Sequence, residues 1–416
     1  MTTPFDGDIP LPTRARDGAR TSTEPRDVRP LVLGAFSTAR PPHRVDQARA
    51  LDWIARVHAG SEATLAGLGA DERRAFEERL RKVIDRCACS PTQIGSRGHV
   101  VDDVGRDDFG EMTIYDVQKS PRGVGAEART RLFSELVSKY FVDAYADERV
   151  APSDLLHVTC TGYVSPSGAQ RLVAARGWGE LTRVTHAYHM GCYAAFPAMR
   201  LAAGALSYRS PGGRGAGVDE RARVDIVHTE LCSLHMDPSD HSLEQLVVQS
   251  LFADGFIRYA MQGPGVGPGL RVLSQHEAIL PDSAESMSWV GTDAGMKMTL
   301  ARDVPDRIAG ALRRFVDKLY TAANLRPEEQ IARSVFAVHP GGPKIIDRVR
   351  DVLELGDPQL RASRDVLFAY GNMSSATLPH VWKNVLEDEQ ISNGTLVLSL
   401  AFGPGLTVCG ALFRKE

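Results

Sequence analysis

From about Val32 onward the chain alternates short runs of apolar residues with longer stretches in which apolar residues recur every three or four positions. The first pattern fills a strand and the second keeps one face of a helix apolar. On this basis helices are expected over 45–59 and 70–86, a strand over 155–160, a helix over 167–176 and a strand over 183–187. A helix over 193–207, a strand over 224–229, a helix over 242–251 and a strand over 256–261 follow. The stretch GPGVGPG then interrupts the pattern. Its glycines are spaced, but it carries two prolines and runs into the strand-like LRVLSQ, whereas a dinucleotide loop must open a helix; it reads as a linker. A second set follows, with strands over 271–280, 334–338, 366–369, 395–401 and 406–413 and helices over 307–325, 344–355 and 375–386. Two consecutive sets of similar grammar predict a duplicated layered α/β fold. Three parts are expected: an arm over 1–31, a first half over 32–263 and a second half over 264–416.

Composition narrows the class. With 416 residues, 43% hydrophobic and 24% charged, the chain is long enough for one large double domain, and disordered or fibrous classes are excluded. The 49 Lys and Arg against 52 Asp and Glu leave a net charge of -3, so no overall field recruits nucleic acid or an anionic membrane. The first 30 residues are rich in Pro, Thr, Arg and Asp without an apolar period and read as a mobile arm. No window offers the ~18 apolar residues of a membrane helix, and the N-terminus lacks the apolar core of a signal peptide, so a cytoplasmic protein without a membrane partner is expected. Six scattered cysteines without a C-x-x-C pair argue against a disulfide framework and against a metal site.

Reactive groups in α/β sheets gather where strands end and helices begin, because backbone donors and helix N-termini face a crevice there. Three such junctions carry reactive residues. In VTHAYHMGCYAAFPAMRLAAGAL, Cys192 follows a strand and a glycine and opens an apolar helix. The positive end of the helix dipole favours a thiolate there, while a buried structural cysteine is the competing reading. In FAVHPGGPKIIDRV, the strand ends at Val338 and His339 precedes a rigid turn, a place for a base or oxyanion donor, or for a satisfied structural histidine. In LFAYGNMSSATLPHVW, Asn372 follows an expected strand end and leads into Ser374 and Ser375, which also reads as turn and N-cap chemistry. A Cys in the first set with a His and an Asn in the second is what nucleophilic acyl transfer needs if the halves face each other across a pocket.

At these residues the chain resembles the type III polyketide synthases, the chalcone and stilbene synthase family of thiolase-fold condensing enzymes, in a bacterial-type form. GCYAAFPAMRLA, HPGGPKIIDRV, YGNMSSATLP and the C-terminal FGPGLTV carry the resemblance, supported by PSDHSLEQLVVQSLFADG. They fall in the family's order and cover the chain from about Val32 to its end. The resemblance implies a thiolase-like duplicated layered α/β fold, with two halves bearing mixed five-stranded sheets in an αβαβα arrangement. The family's Cys, His and Asn map onto Cys192, His339 and Asn372, and its gatekeeper phenylalanine maps onto Phe252. Cys192 would hold the acyl starter, and His339 and Asn372 would stabilise the enolate left when a malonyl unit loses carbon dioxide. Repeated extension and ring closure would release a product such as an α-pyrone. The resemblance also implies a homodimer acting on acyl-CoA and malonyl-CoA, with no tightly bound cofactor and no metal; an acyl carrier protein's phosphopantetheine thioester would suit the same chemistry.

Departures from the plant pattern bear on the substrate pocket. Met298 stands where many members carry a second gatekeeper Phe, Trp289 where chalcone synthases have a Gly, and Cys232 and His235 where they have threonines. Ser374 completes the expected pocket. The segment CTGYVSPSGAQRL lacks the Met that usually crosses the dimer interface. Arg81, Lys82 and Arg86 on RLRKVIDR align with the basic patch that holds the phosphates of coenzyme A, against the plainer reading of a solvated basic face. Two rivals stand beside this reading: a ketoacyl synthase III-like enzyme that condenses or fuses carrier-bound chains, and a non-catalytic acyl-binding homologue.

Overall fold

The computed structural model of the protein describes residues 30–208 and 222–416, so the expected arm lies almost wholly outside the described residues. The first elements are β1 (Val32–Ala39), β2 (His43–Asp46), α1 (Gln47–Ala66), α2 (Ala70–Cys87), β3 (Ser96–His99) and α3 (Ala126–Ala144). Next come β4 (Asp154–Thr159), α4 (Gly168–Ala175), β5 (Arg183–Tyr188), α5 (Ala195–Tyr208), β6 (Arg223–Leu231), α6 (Leu243–Leu251) and β7 (Asp254–Gln262). Beyond the Gly-Pro stretch lie β8 (Gly269–Ile279), β9 (Met287–Thr292), β10 (Gly295–Leu300), α7 (Val304–Ala322), α8 (Pro327–Gln330) and β11 (Val335–Val338). The chain closes with α9 (Pro343–Leu353), α10 (Arg361–Tyr370), α11 (Thr377–Glu387), β12 (Leu396–Gly403) and β13 (Thr407–Lys415).

Nine strands form one mixed sheet in the order β11-β12-β13-β8-β1-β7-β6-β4-β5. Strand β4 runs parallel to β5 and β6, β11 runs parallel to β12, and the remaining pairs are antiparallel. The expected α/β class holds, with one difference in detail. Instead of two separate five-stranded sheets, four strands on one side and four on the other are joined through β1, which pairs with β7 along one edge and with Gly269–Arg271 of β8 along the other. The Gly-Pro linker carries the chain from β7 to β8 past β1.

Strand periodicity explains the layers. In β4, Leu156 and Val158 face one apolar core while Leu155 faces another; in β6, Val224 and Ile226 share the first core and Val227 and Leu231 the second. On the other side, Val397 and Ala401 of β12 and Cys409, Ala411 and Phe413 of β13 also point into the first core. Their neighbours Leu398, Leu400, Val408 and Leu412 enter a third. A period of two therefore sends alternate residues to opposite faces. The shared core is filled by α5 and α11, which pack against strands from both sides. Helices α3 and α4 cover the outer face of one side, and α7 and α9 that of the other. Within the shared core Trp382 meets Phe196 and Phe413 edge-on and donates its indole N–H to Ser399 Oγ at 2.7 Å, so the one polar atom of a large buried ring is satisfied.

Some elements differ from expectation. Residues 366–369 belong to α10 and not to a strand: VLFA is too short to show a period, and the buried set Ala362, Ser363, Val366 and Leu367 reveals a helical stripe. Val45 ends up in β2, and α1 starts at Gln47 and continues to Ala66. Among the described residues no helix is long and apolar enough to cross a membrane, and no cluster of three or more metal-ligating side chains occurs.

Candidate active site

Cys192 sits in a single tight turn, Gly191–Tyr193, directly ahead of α5. Gly191 has φ of 79°, and a Cβ there would lie 2.6 Å from Pro404 Cδ, so only glycine fits this approach. Its amide donates to Cys160 Sγ at 3.0 Å. The helix behind is apolar and tightly packed through Ala194, Ala195, Phe196, Ala198 and Met199. This fixes the Cys192 backbone in the central layer.

Asn372 arrives from the opposite side. It follows a helix, α10, and not the expected strand, and it is locked to the chain around Phe252. Its amide donates to Leu251 O at 3.0 Å, and its carbonyl accepts from Ala253 N at 2.8 Å. Phe252 and Asn372 thus form an isolated parallel bridge. Gly371 turns the chain here with φ of 73°, and a Cβ on it would press against Arg97 Cγ and Leu251 O, both at 3.0 Å. Asn372 Oδ1 accepts from Ser374 N at 2.9 Å and from Thr377 Oγ1 at 3.2 Å. With the oxygen occupied, the side-chain NH2 is the group left to donate. It lies by Cys192, as does the Ser374 hydroxyl, both near enough to favour the thiolate. Ser374, expected in the substrate pocket, therefore lies beside the sulfur and does not line the cavity described below.

His339 ends β11 as expected, with its amide donating to Leu400 O at 2.8 Å. Farther along the same partner strand, Gly403 lies against Tyr193, the neighbour of Cys192. The turn after His339 brings Gly342 toward Leu251, the residue that accepts from the Asn372 amide. His339 is 2% exposed, and neither ring nitrogen has a hydrogen-bond partner among the described residues. Burial pushes its pKa down to about 3, so the ring is neutral.

The charge state of Cys192 corrects the expectation of a preformed thiolate. Burial raises its pKa to about 12 and the Glu230 carboxylate adds to the rise, while the hydrogen bonds from Ser374 and Asn372 oppose it. Desolvation outweighs the helix start, because the sulfur sits inside the layer and not at an open helix end.

A cavity of about 40 Å³ collects five of the expected pocket residues: Phe252, Cys232, His235, Trp289 and Met298. Trp289 and Met298 face each other across the β9–β10 hairpin. The indole N–H donates to Cys160 O at 2.6 Å, and the ring meets His235 at 86°. Trp289 is half-buried, a cavity wall and not a core residue. His235 shares its ring nitrogens between Thr161 O at 2.7 Å and Met296 N at 3.1 Å. Cys192, His339 and Asn372 do not line this cavity, but Cys232 does, and its thiol lies near enough to Cys192 for the two to interact electrostatically.

Of the three cations on α2, Arg81 is already paired with Asp52 and with Glu77, the latter at 2.7 Å. Its charge is locally neutralised. Lys82 and Arg86, one turn apart and exposed, form no ion pair among the described residues. The expected three-cation cradle is thus reduced to two free charges.

Residues 271–415 match the C-terminal domain of the chalcone and stilbene synthases. Over this stretch the chain carries the C-terminal domain of the chalcone and stilbene synthases. A 1,3,6,8-tetrahydroxynaphthalene synthase of Streptomyces griseus is 28% identical over 285 residues, covering 68% of this chain and 71% of that protein. Probable polyketide synthase 1 of Dictyostelium discoideum is 30% identical over 269 residues, 63% of this chain, and this chain spans 8% of its length. Among solved structures, PKS-I from the brown alga Ectocarpus siliculosus superposes with a TM-score of 0.77 at 22% identity, covering 94% of this chain and all of that one. The tetrahydroxynaphthalene synthase of Streptomyces coelicolor A3(2), a bacterial type III polyketide synthase, gives 0.72 at 21% identity, covering 92% of this chain and 99% of that one. These structures share the fold over 92 to 94% of this chain.

Sequence reasoning missed Glu230. The protein buries it completely at the end of β6, where it accepts from Ser375 Oγ, from Cys160 N at 3.0 Å and from Thr161 Oγ1 at 3.1 Å. Burial pushes its pKa up to about 7 against these hydrogen bonds. No local motif announces it: the Glu near the end of VDIVHTEL reads as the polar end of a strand, and only the packing of β4, β6 and the Ser374–Ala376 turn reveals it. Arg97 and His99 on β3, both buried at the cavity, were missed for the same reason.

Proposed function

We propose that this protein is a type III polyketide synthase that builds a small cyclic product by decarboxylative condensation on Cys192. The observation that carries this reading is the convergence at one buried sulfur: the polar groups of Asn372 and Ser374 lie by Cys192, while His339 holds two unpartnered ring nitrogens on the neighbouring strand end. The division at about residue 263, with Cys192 in the first half and His339 and Asn372 in the second, belongs to the same proposal. So do a homodimeric assembly, a cytoplasmic location and acyl-CoA and malonyl-CoA as substrates, with Lys82 and Arg86 as the cations nearest to a phosphate role.

In the loading step the neutral His339 takes the proton from Cys192 as the thioester arrives. The Cys192 sulfur bonds to the acyl carbon, the bond from that carbon to the coenzyme A sulfur breaks, and His339 returns the proton to the leaving thiolate. In the extension step the malonyl carboxylate leaves as carbon dioxide. Its bonding electrons pass into an enolate whose oxygen accepts from the His339 N–H and the Asn372 NH2. The enolate carbon bonds to the acyl carbon and Cys192 leaves as thiolate. Intramolecular attack then releases the chain as an α-pyrone or a related small ring; the relatives named for tetrahydroxynaphthalene support aromatic closure as the second outcome.

The test is product mass from the purified protein with a panel of acyl-CoA starters, with and without malonyl-CoA. Products heavier than the starter by multiples of the two-carbon unit support the reading. Loading without extension under every starter would leave only an acyl-binding homologue.

A further inference from the structure

Two arginines are buried in the same region, and they differ in how they are satisfied. Arg129 uses every nitrogen: Nε on Val124 O, Nη1 on Leu234 O and Met236 O, Nη2 on Arg122 O. Arg97, 2% exposed, uses only two. Its Nε donates to Gln47 Oε1 at 2.8 Å and its Nη1 to the carbonyls of Gln249 and Phe252, each at 2.7 Å, while Nη2 has no partner among the described residues. No ion pair joins Arg97 to a carboxylate among the described residues. Asp254, the carboxylate whose charge reaches it, spends its oxygens on Val100 N and on the amide and hydroxyl of Ser233. Two positions along β3, and so on the same face of the strand, His99 is equally buried with both ring nitrogens unpartnered. Both side chains line the cavity that holds Trp289, Met298 and Cys232.

A buried guanidinium without a counter-ion is costly, and a cavity wall that offers an unpaired charge-assisted donor beside a second ring donor matches an oxyanion. We propose that Arg97 Nη2 and His99 receive a carboxylate at the far end of the acyl group, so that the preferred starter is a dicarboxylic acyl thioester. This rests on the acyl-enzyme reading above. Arg97 supplies one positive charge and His99, kept neutral by burial and by Arg97, supplies an N–H, which suits a single carboxylate better than a phosphate dianion. The cavity of about 40 Å³ admits a group of a few heavy atoms, and its other walls, Trp289, Met298 and Val248, are apolar enough for a methylene linker. Cys232, on the wall of this cavity, is the lining residue near Cys192.

The experiment compares succinyl-CoA with butyryl-CoA, which share a four-carbon length and differ only at the terminal group, by intact mass of the Cys192 adduct in direct competition on the full chain. The parent should load succinyl over butyryl by about tenfold or more, as a site built to pair a polar group disfavours an analogue that lacks it. His99→Leu should lower that ratio about tenfold, while His99→Asn, which keeps an N–H, should retain much of it. Arg97→Gln should abolish the preference; since Arg97 also ties Gln47 to the Phe252 carbonyl, the His99 pair decides the matter if that variant does not fold. Butyryl loading as fast as succinyl in the parent, or a ratio unmoved by His99→Leu, overturns the receptor and leaves the acyl-enzyme reading standing. No adduct from either thioester overturns both.

Discussion

Around Cys192, Asn372 Oδ1 accepts twice, Ser374 and Asn372 lie by the sulfur, Gly191 N donates to Cys160, and Glu230 accepts from three groups; among the described residues of this region His339 keeps unpartnered ring nitrogens. Around the neighbouring cavity, by contrast, Arg97 Nη2 and both nitrogens of His99 are unmatched, and two walls come from a two-stranded hairpin packed at the edge of the layers. The first region is fixed by backbone contacts in the central core, where a methyl group on Gly191 would collide with Pro404. The second is set by individual side chains. A condensing enzyme needs this division, because the reaction demands one geometry and the substrate varies.

The comparison breaks most visibly at the sulfur end. Asn372→Ala removes the enolate donor while the Gly371 turn and the bridge to Leu251 survive, so malonyl decarboxylation should fall by about 10² to 10³ with acyl loading on Cys192 largely kept. Steady-state release of carbon dioxide and intact mass measure the two separately; lost loading with normal decarboxylation would reverse the assigned roles.

Glu230 gives the next effect, on stability. Its folded pKa of about 7 lies above its ordinary value of 4.5, so the fold binds the protonated form more tightly than the unfolded chain does. The parent should be most stable below about pH 4.5 with respect to this group, lose roughly 3 kcal/mol as pH rises to about 7, and level off above. Asp254, raised to about 6, adds to the same slope. Glu230→Gln should flatten the fall, read as Tm against pH, and should also speed alkylation of Cys192, since removing the carboxylate lowers the thiol pKa. A pH profile identical to the parent's would show that Glu230 is not buried as a titrating group.

Cysteine labelling separates the two regions more finely. In the free protein near neutral pH, half-exposed Cys87 should react with iodoacetamide before Cys192, whose thiol is protonated and enclosed. Cys192 reacting first would restore the preformed thiolate. The smallest change is at the cavity wall. Trp289→Gly should cost about 2 kcal/mol, less than a fully buried Trp, because the ring is half-buried, and it should admit bulkier starters or release longer products. An unchanged product profile in an active variant would make Trp289 a packing residue only.

Strand periods in β4, β6, β12 and β13, the linker at Gly263–Gly269 and the strand-end position of His339 were legible because each is a local pattern of burial or turn chemistry. The α10 segment was misread because four apolar residues carry no period. Helix α3 was overlooked although Phe133, Val137, Tyr140 and Phe141 trace one buried helical face. The motifs nominated Cys192, His339 and Asn372 as a set but not the protonation of Cys192, since the sequence displays a helix start and hides the depth of the layer around it. Glu230, Arg97 and His99 gain their meaning from partners far away in the chain, as when Arg97 Nη1 reaches the Gln249 and Phe252 carbonyls, and no local spacing encodes that.

The central claim is that Cys192 carries the acyl chain. Intact-mass spectrometry of the purified protein after addition of a single acyl-CoA, without malonyl-CoA, reads this directly, with peptide mapping to place the adduct. The account predicts one acyl group per chain on Cys192, absent from a folded Cys192→Ala variant that also forms no product. An adduct on another cysteine, or undiminished product from Cys192→Ala, would contradict it.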